Sequence, residues 1–162
     1  MEAVIIAVGS NIGDRLSYIQ MAGEFLEGLS EGEIKKSSIW ESEPVGGAKY
    51  DFLNCAARIE TTLAPEKLLV KLKEFEQSCG READPVRWGP RVIDLDLIGY
   101  GDLVIQQEGL IIPHPEYTKR LFVLLPLQEI DSEWKDPAIK KYIDQLTDEA
   151  PRMDITKTGY DW

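Results

Sequence analysis

The sequence predicts an α+β fold, and three observations carry that prediction. A continuous apolar run at residues 3–8 (Ala-Val-Ile-Ile-Ala-Val) reads as a buried central strand. Two stretches with helical periodicity, residues 14–29 and 64–79, each follow a strand. Strand-like segments at 33–41 and 50–61 are joined by a Pro/Gly loop, so they pair as a long hairpin rather than through a crossover helix. Hairpins mixed with helices argue for one mostly antiparallel sheet covered by helices, of ferredoxin-like type.

The elements follow in order. After the first strand, Gly9-Ser10-Asn11 breaks the pattern, and Asp14 is placed to cap a helix with Leu16, Ile19, Gly23, Leu26 and Leu29 on its inner side. The Gly-Ser-Asn corner is a plain strand-to-helix turn or a place where backbone groups hold a ligand. Residues 42–49 form a loop of binding-loop composition. The strand beyond it starts with Phe52 and Asn54 on one face, an aromatic and an amide suited to stacking on and hydrogen-bonding a flat heterocycle. Pro65 and Glu66 open the next helix and Gly80 closes it; Leu68, Leu72, Phe75 and Cys79 form its stripe. Glu76 lies on that same side, where a carboxylate must find donors. Further on, 92–100 is a strand, 103–105 and 110–112 are short strand pieces, and 120–130 is an apolar helix kinked or begun at Pro126. Residues 137–148 read as a charged amphipathic helix, and 151–162 as a peripheral tail of a single domain spanning 1–162.

A formal net charge of −11 argues against nucleic acid or an anionic membrane as partner, since phosphate surfaces require a basic field. Cys55 and Cys79 are the only cysteines, as expected of unpaired thiols in a reducing cytoplasm. The first apolar run is too short to span a membrane. A cytoplasmic monomer or small homo-oligomer is the expectation.

Chemistry concentrates in residues 81–96. Val92, Asp94 and Asp96 share one parity of a strand, and Ile93, Leu95 and Leu97 the other. Side chains two apart point the same way about 6–7 Å apart, so two ionised carboxylates there repel unless a cation joins them. Hard ions such as Mg²⁺ suit the pair, together with water and substrate phosphates. Upstream stand Arg81, Arg87 and Arg91 with Trp88 and Gly89-Pro90 among them, and guanidinium groups are suited to bidentate phosphate contacts. Asp-x-Asp on a strand is common, and loop arginines are usually a solvated face; the combination points to phosphoryl chemistry on a nucleotide. His114, the only histidine, sits between two prolines near Lys119 and Arg120, which favours a phosphate contact over a purely structural role.

These residues resemble a known family. Gly9-Ser10-Asn11, Pro44-x-Gly46, Phe52-Leu53-Asn54, Gly80-Arg81, the run Arg87-Trp88-Gly89-Pro90-Arg91-x-Ile93-Asp94-Leu95-Asp96-Leu97, Pro113-His114-Pro115 and Arg120-x-Phe122-Val123-Leu124-x-Pro126-Leu127 are similar to the 6-hydroxymethyl-7,8-dihydropterin pyrophosphokinases of folate biosynthesis. The resemblance implies transfer of the pyrophosphoryl group of ATP to the pterin hydroxymethyl oxygen, with AMP as the other product and two Mg²⁺ ions at Asp94 and Asp96. It implies that Phe52 and Phe122 sandwich the pterin, that Asn54 reads its edge, and that Ser42 and Val45 offer loop backbone contacts. Arg81 and Arg91 would stabilise the triphosphate and Trp88 would help close the arginine loop over the substrates. Arg87, His114 and Arg120 would contact ATP, and Glu76 would hold its ribose. Phe52 stands where the family often has tyrosine, and Glu82-Ala83-Asp84-Pro85 is less basic than in many members. Two other classes, a non-catalytic pterin or nucleotide binder and a metal-dependent phosphodiesterase, fit less well: the acid pair is intact, and a single histidine leaves a phosphodiesterase short of ligands.

Overall fold

The computed structural model describes residues 1–44, 50–80 and 92–162. The elements are β1 (Glu2–Ser10), α1 (Arg15–Leu29), β2 (Lys35–Lys36), β3 (Trp40–Ser42), β4 (Phe52–Thr61), α2 (Pro65–Ser78), β5 (Asp94–Tyr100), β6 (Ile105–Gln107), β7 (Leu110–Ile112), a 3₁₀ turn (Tyr117–Lys119), α3 (Leu121–Ile130), α4 (Ile143–Glu149) and β8 (Ile155–Lys157). One sheet runs β5-β1-β4-β3-β8, with β2 also on β4. All its pairings are antiparallel, as the hairpin pattern predicted.

Strand alternation divides the apolar residues between two faces. Val4, Ile6 and Val8 of β1 join Cys55, Ala57 and Ile59 of β4 beneath α1 and α2, where Ile19, Leu26, Leu68 and Leu72 are fully buried. Phe25 and Phe75 stack across the two helices with ring centroids 4.5 Å apart. Asp14 caps α1 as expected, its carboxylate accepting the Ser17 N–H at 3.1 Å. On the opposite face Ile5 and Ala7 of β1, Ala56 of β4 and Ile98 of β5 pack under Leu121, Leu124 and Leu127 of α3 and Ile143 and Leu146 of α4. Gly99 is needed where the Trp134 ring crosses β5, because a Cβ there would stand 2.3 Å from the indole.

Three expectations need correcting, and one is decided between its two alternatives. The strand expected at 33–41 is broken into β2 and β3, because the Ser37 hydroxyl accepts the Ala56 N–H while the Ser37 carbonyl accepts the Trp162 indole N–H. The helix expected at 137–148 starts only at Ile143. Upstream, the Asp136 carboxylate accepts the N–H groups of Ala138 and Ile139 and holds that stretch in a turn. The apolar helix expected at 120–130 is α3, with Pro126 inside it rather than at its start. The tail is an integral part of the sheet rather than peripheral: Ile155, Thr156 and Lys157 pair with Ser42, Glu41 and Trp40. The indole of Trp162 also packs on the α1 core.

Candidate active site

Register aligns Asp94 and Asp96 of β5 with Asn54 and Phe52 of β4 across the sheet. Asp94 lies opposite Gly9 and Asp96 opposite Ala7 on β1. Gly9 in turn lies opposite Asn54, and Ala7 opposite Ala56. Trp40 completes the first row beside Asn54, and Ser42 stands opposite Phe52. Residues paired across a sheet point to one side, so Asp94, Asp96, Asn54 and Phe52 all belong to the face that α3 covers. The apolar packing under α3 includes Ala7 and Ala56; past it, side-chain size falls from Ile5 through Ala7 to Gly9 and leaves a floor between the acids and the amide. A Cβ on Gly9 would stand 3.8 Å from Asn54 Oδ1 and 3.9 Å from the Phe52 ring.

The start of α3 supplies the other wall. Arg120 Nη1 lies 3.8 Å from Asp96 Oδ2, with each side chain 35% exposed, and its guanidinium carbon is 5.9 Å from the centre of the Phe122 ring. That spacing is loose for an ion pair and leaves both groups open to a ligand. His114 is tied to β5 by its N–H, which donates to the Ile98 carbonyl at 2.9 Å. Its Nδ1 accepts the Glu116 N–H at 3.1 Å, so in the neutral ring the proton sits on Nε2. Burial holds the imidazole below its ordinary pKa, with the Asp96 charge opposing and Arg120 reinforcing that shift. The result is a neutral N–H donor near the acids at physiological pH.

The amide end is more tightly built. Asn54 Nδ2 donates to Ser42 Oγ at 2.8 Å and lies 3.4 Å from the carbonyls of both Trp40 and Phe52. Trp40 donates its indole N–H to Glu129 of α3 at 2.6 Å, and the other Glu129 oxygen accepts from the Ser38 hydroxyl at 2.8 Å. Burial raises the Glu129 pKa, but the bonds from Ser38 and Trp40 outweigh it and leave a net lowering.

Glu76 reaches the site's strand from α2. Its side chain is 1% exposed, one oxygen accepts the Leu95 N–H at 2.7 Å, and Lys73 stands 3.4 Å away. The expectation of an inward carboxylate needing donors holds; one donor is the backbone N–H of Leu95 in β5, between the two acids. Val45, Arg81, Arg87, Trp88 and Arg91 lie outside the described residues. Trp40, Ala7 and the tail strand were not singled out from sequence as parts of the site. The shrinking series Ile5, Ala7, Gly9 was the available signal for the floor.

Among the described residues no three His, Cys, Asp or Glu side chains gather into a metal cage. Two half-buried carboxylates on one face of a strand are a donor set that suits Mg²⁺, which rarely uses an all-protein cage and takes water and phosphate oxygens as its other ligands. A separate cleft of about 660 Å³ is lined by Asn11, Gly13, Arg15, Glu41, Tyr50 and Asp51 and includes neither acid. It is occupied in part by Arg15, which bonds Glu41 at 2.8 Å and the Asp51 carbonyl at 3.0 Å.

Residues 5–132 match the family model described as 7,8-dihydro-6-hydroxymethylpterin-pyrophosphokinase (HPPK). The chain belongs to this family. It is 42% identical over 158 residues to the 2-amino-4-hydroxy-6-hydroxymethyldihydropteridine pyrophosphokinase of Bacillus subtilis, covering 96% of this chain and 92% of that one. It is 43% identical over 161 residues to the bifunctional protein FolKE of Lactococcus lactis; there it covers 97% of this chain but only 46% of the relative. The fold matches the crystal structure of wild-type Plasmodium falciparum HPPK-DHPS with pteroate at a TM-score of 0.70, with 16% identity, covering 91% of this chain and 42% of that one. The HPPK resemblance read from the motifs is thereby established. No helix among the described residues is long and apolar enough to cross a membrane.

Proposed function

We propose that this chain transfers the pyrophosphoryl group of ATP to 6-hydroxymethyl-7,8-dihydropterin, as part of folate biosynthesis. The pterin hydroxymethyl oxygen attacks the β-phosphorus, the bond from that phosphorus to the α,β-bridging oxygen breaks, AMP leaves, and the hydroxyl proton is released. The observation that supports this reading best is the single row Asp94–Gly9–Asn54, which brings a carboxylate and an amide to one face of the sheet on either side of a residue with no side chain.

Asp94 and Asp96 would hold two Mg²⁺ ions, which when bound neutralise triphosphate charge. The chain's own residues position the reactants, which is most of what phosphoryl transfer requires. Phe52 and Phe122 bracket a flat ring, and Asn54 meets its edge. His114 donates from Nε2 and Arg120 brings positive charge to the phosphates. By family likeness Arg81, Arg87 and Arg91 add further charge, Trp88 and Val45 complete the pterin side, and Ser42 supports it. A cytoplasmic protein working on two small molecules, alone or as a small homo-oligomer, fits this chemistry.

The test is incubation with Mg²⁺, ATP and 6-hydroxymethyl-7,8-dihydropterin, with AMP as the readout. AMP formed only with the pterin, and abolished by EDTA, supports the reading. Pterin binding without turnover would make the chain a binder, and pterin-independent ATP cleavage would make it a hydrolase; either result overturns the proposal.

A further inference from the structure

We propose that Tyr117, anchored through its hydroxyl on Asp136, is a positioning residue for the nucleotide: it holds the turn that presents His114 and Arg120 to the ATP phosphates. The inference rests on the functional reading above for the roles of those two side chains. It gives a part in the site to residues 133–142, which lie beyond the 5–132 that match the family model.

The turn has few attachments of its own. It begins at His114, whose N–H donates to the Ile98 carbonyl, and ends at Arg120, the residue before α3. Between them the 3₁₀ turn Tyr117–Lys119 is closed by the Lys119 N–H on the Glu116 carbonyl at 3.1 Å and the Arg120 N–H on the Tyr117 carbonyl at 3.0 Å. So short a turn gains little from its own bonds. Lys119 and Glu116 stand 3.6 Å apart with side chains 71% and 51% exposed, and an exposed pair of that kind contributes little. Tyr117 is the one fully buried side chain between His114 and Arg120, at 1% exposure. It shares the core under α3 with Ile98 and Leu124, and its hydroxyl donates to Asp136 Oδ2. Burial, reinforced by the bond to Asp136, pushes the phenol well above its ordinary pKa, so it remains a donor throughout the physiological range.

Asp136 is a preset acceptor. It is 3% exposed, and its other oxygen, Oδ1, accepts the N–H of Ala138 at 2.7 Å and of Ile139 at 3.0 Å. Its own N–H donates to the Lys141 carbonyl and its carbonyl accepts the Lys140 N–H, each at 2.9 Å. Two residues earlier, the Trp134 ring lies across Gly99 of β5, next to Ile98. Residues 134–136 therefore touch both the strand that carries Asp94 and Asp96 and the turn between His114 and Arg120. A rigid acceptor so placed holds the phosphate-contacting side chains at one distance from the acids, and phosphoryl transfer depends mainly on such positioning. Arg120, 3.8 Å from Asp96 Oδ2, is the side chain that gains most from it. Phe122 belongs instead to α3, which Leu124 and Leu127 fix in the core, so the pterin side does not depend on the tether.

The experiment compares wild type with Tyr117→Phe, which removes only the hydroxyl. Binding of a non-hydrolysable ATP analogue with Mg²⁺ is followed by calorimetry, and folding by thermal denaturation. Binding of 6-hydroxymethylpterin is followed by its own fluorescence, with the analogue at saturation. Tyr117→Phe should weaken nucleotide binding by about threefold to tenfold, at most the scale of one hydrogen bond, because the residue acts through its neighbours. Pterin affinity should stay as in wild type. A bond that merely stabilises the fold would lower the thermal midpoint and leave both affinities of the folded protein alone. Unchanged nucleotide binding, or equal loss of nucleotide and pterin binding, would overturn the proposal. If Tyr117→Phe does not fold, wild type decides. Coupling is reciprocal, so the ATP analogue should slow hydrogen exchange at the Ala138 and Ile139 amides that Asp136 holds, and unaltered exchange there refutes the tether. Wild type that binds the analogue but forms no AMP with the pterin would defeat the functional reading and leave this one standing.

Discussion

The two faces of β1 carry opposite tasks on one strand. Towards α1 and α2 it presents Val4, Ile6 and Val8, each 2% exposed or less, in an unbroken apolar wall. Towards α3 it presents Ile5, Ala7 and Gly9, and the packing thins until polar groups from β4 and β5 take over. The first face is buried along its whole length, while the second is packed at Ile5 and gives up side-chain volume towards Gly9. The contrast predicts that substitutions towards α1 and α2 cost stability and that substitutions near Gly9 and the acids cost activity.

Variants on the two faces can break or sharpen that division. Asp96→Ala should lower turnover by about 10²–10³-fold or more, the scale of removing one preorganised electrostatic contact, with an unchanged thermal midpoint. Near-normal activity would remove Asp96 from the site. Ile6→Ala, on the opposite face, should cost about 2–5 kcal/mol in urea denaturation. Its KM values should match wild type wherever it remains folded; a selective rise in pterin KM would blur the division. Gly9→Leu should reduce kcat/KM for the pterin by roughly tenfold or more, as one misfitting group in a binding pocket does, while Gly9→Ala stays active. The ordinary clearance around a Cβ at this position permits the smaller change.

The smallest effect concerns Glu129, which joins α3 to β3. Its folded pKa is lowered from 4.5, so its contribution to stability is present above about pH 4.5 and is lost as pH falls through the lower folded value. Wild type should therefore lose thermal stability below pH 4.5 more steeply than Glu129→Gln, and parallel curves would contradict the assignment.

Much of this was legible from residue patterns. The apolar run at 3–8, the Asp14 cap, Pro65 with Glu66, and the alternation around Asp94 and Asp96 each arise from local chemistry, and each corresponds to an observed element. Three features were not legible, because distant partners decide them. Ser37 interrupts a strand only because Ala56 and Trp162 compete for its polar atoms. Residues 137–142 leave the helical pattern because Asp136 captures the N–H groups of Ala138 and Ile139. The tail reads as loosely attached because its three-residue strand is too short to signal itself, yet β3 supplies the pairing. At the site, the acids and the amide were recognisable as types, but their alignment through Gly9 required the register of three strands. Glu76 was recognisable as an inward acid, and only the fold identified the Leu95 amide as one of its donors.

That bond has a consequence for how copies of the chain meet. β5 is the outermost strand of the sheet, and outer strands invite addition of a further strand from a neighbour. Here the Leu95 N–H is claimed by Glu76 and the Ile98 carbonyl by the His114 N–H, both within the same molecule. Any strand added along this border would have to displace a buried acid and a proline-flanked loop, so the partners that fix Asp94 and Asp96 in place are also the ones that occupy their strand's outer edge.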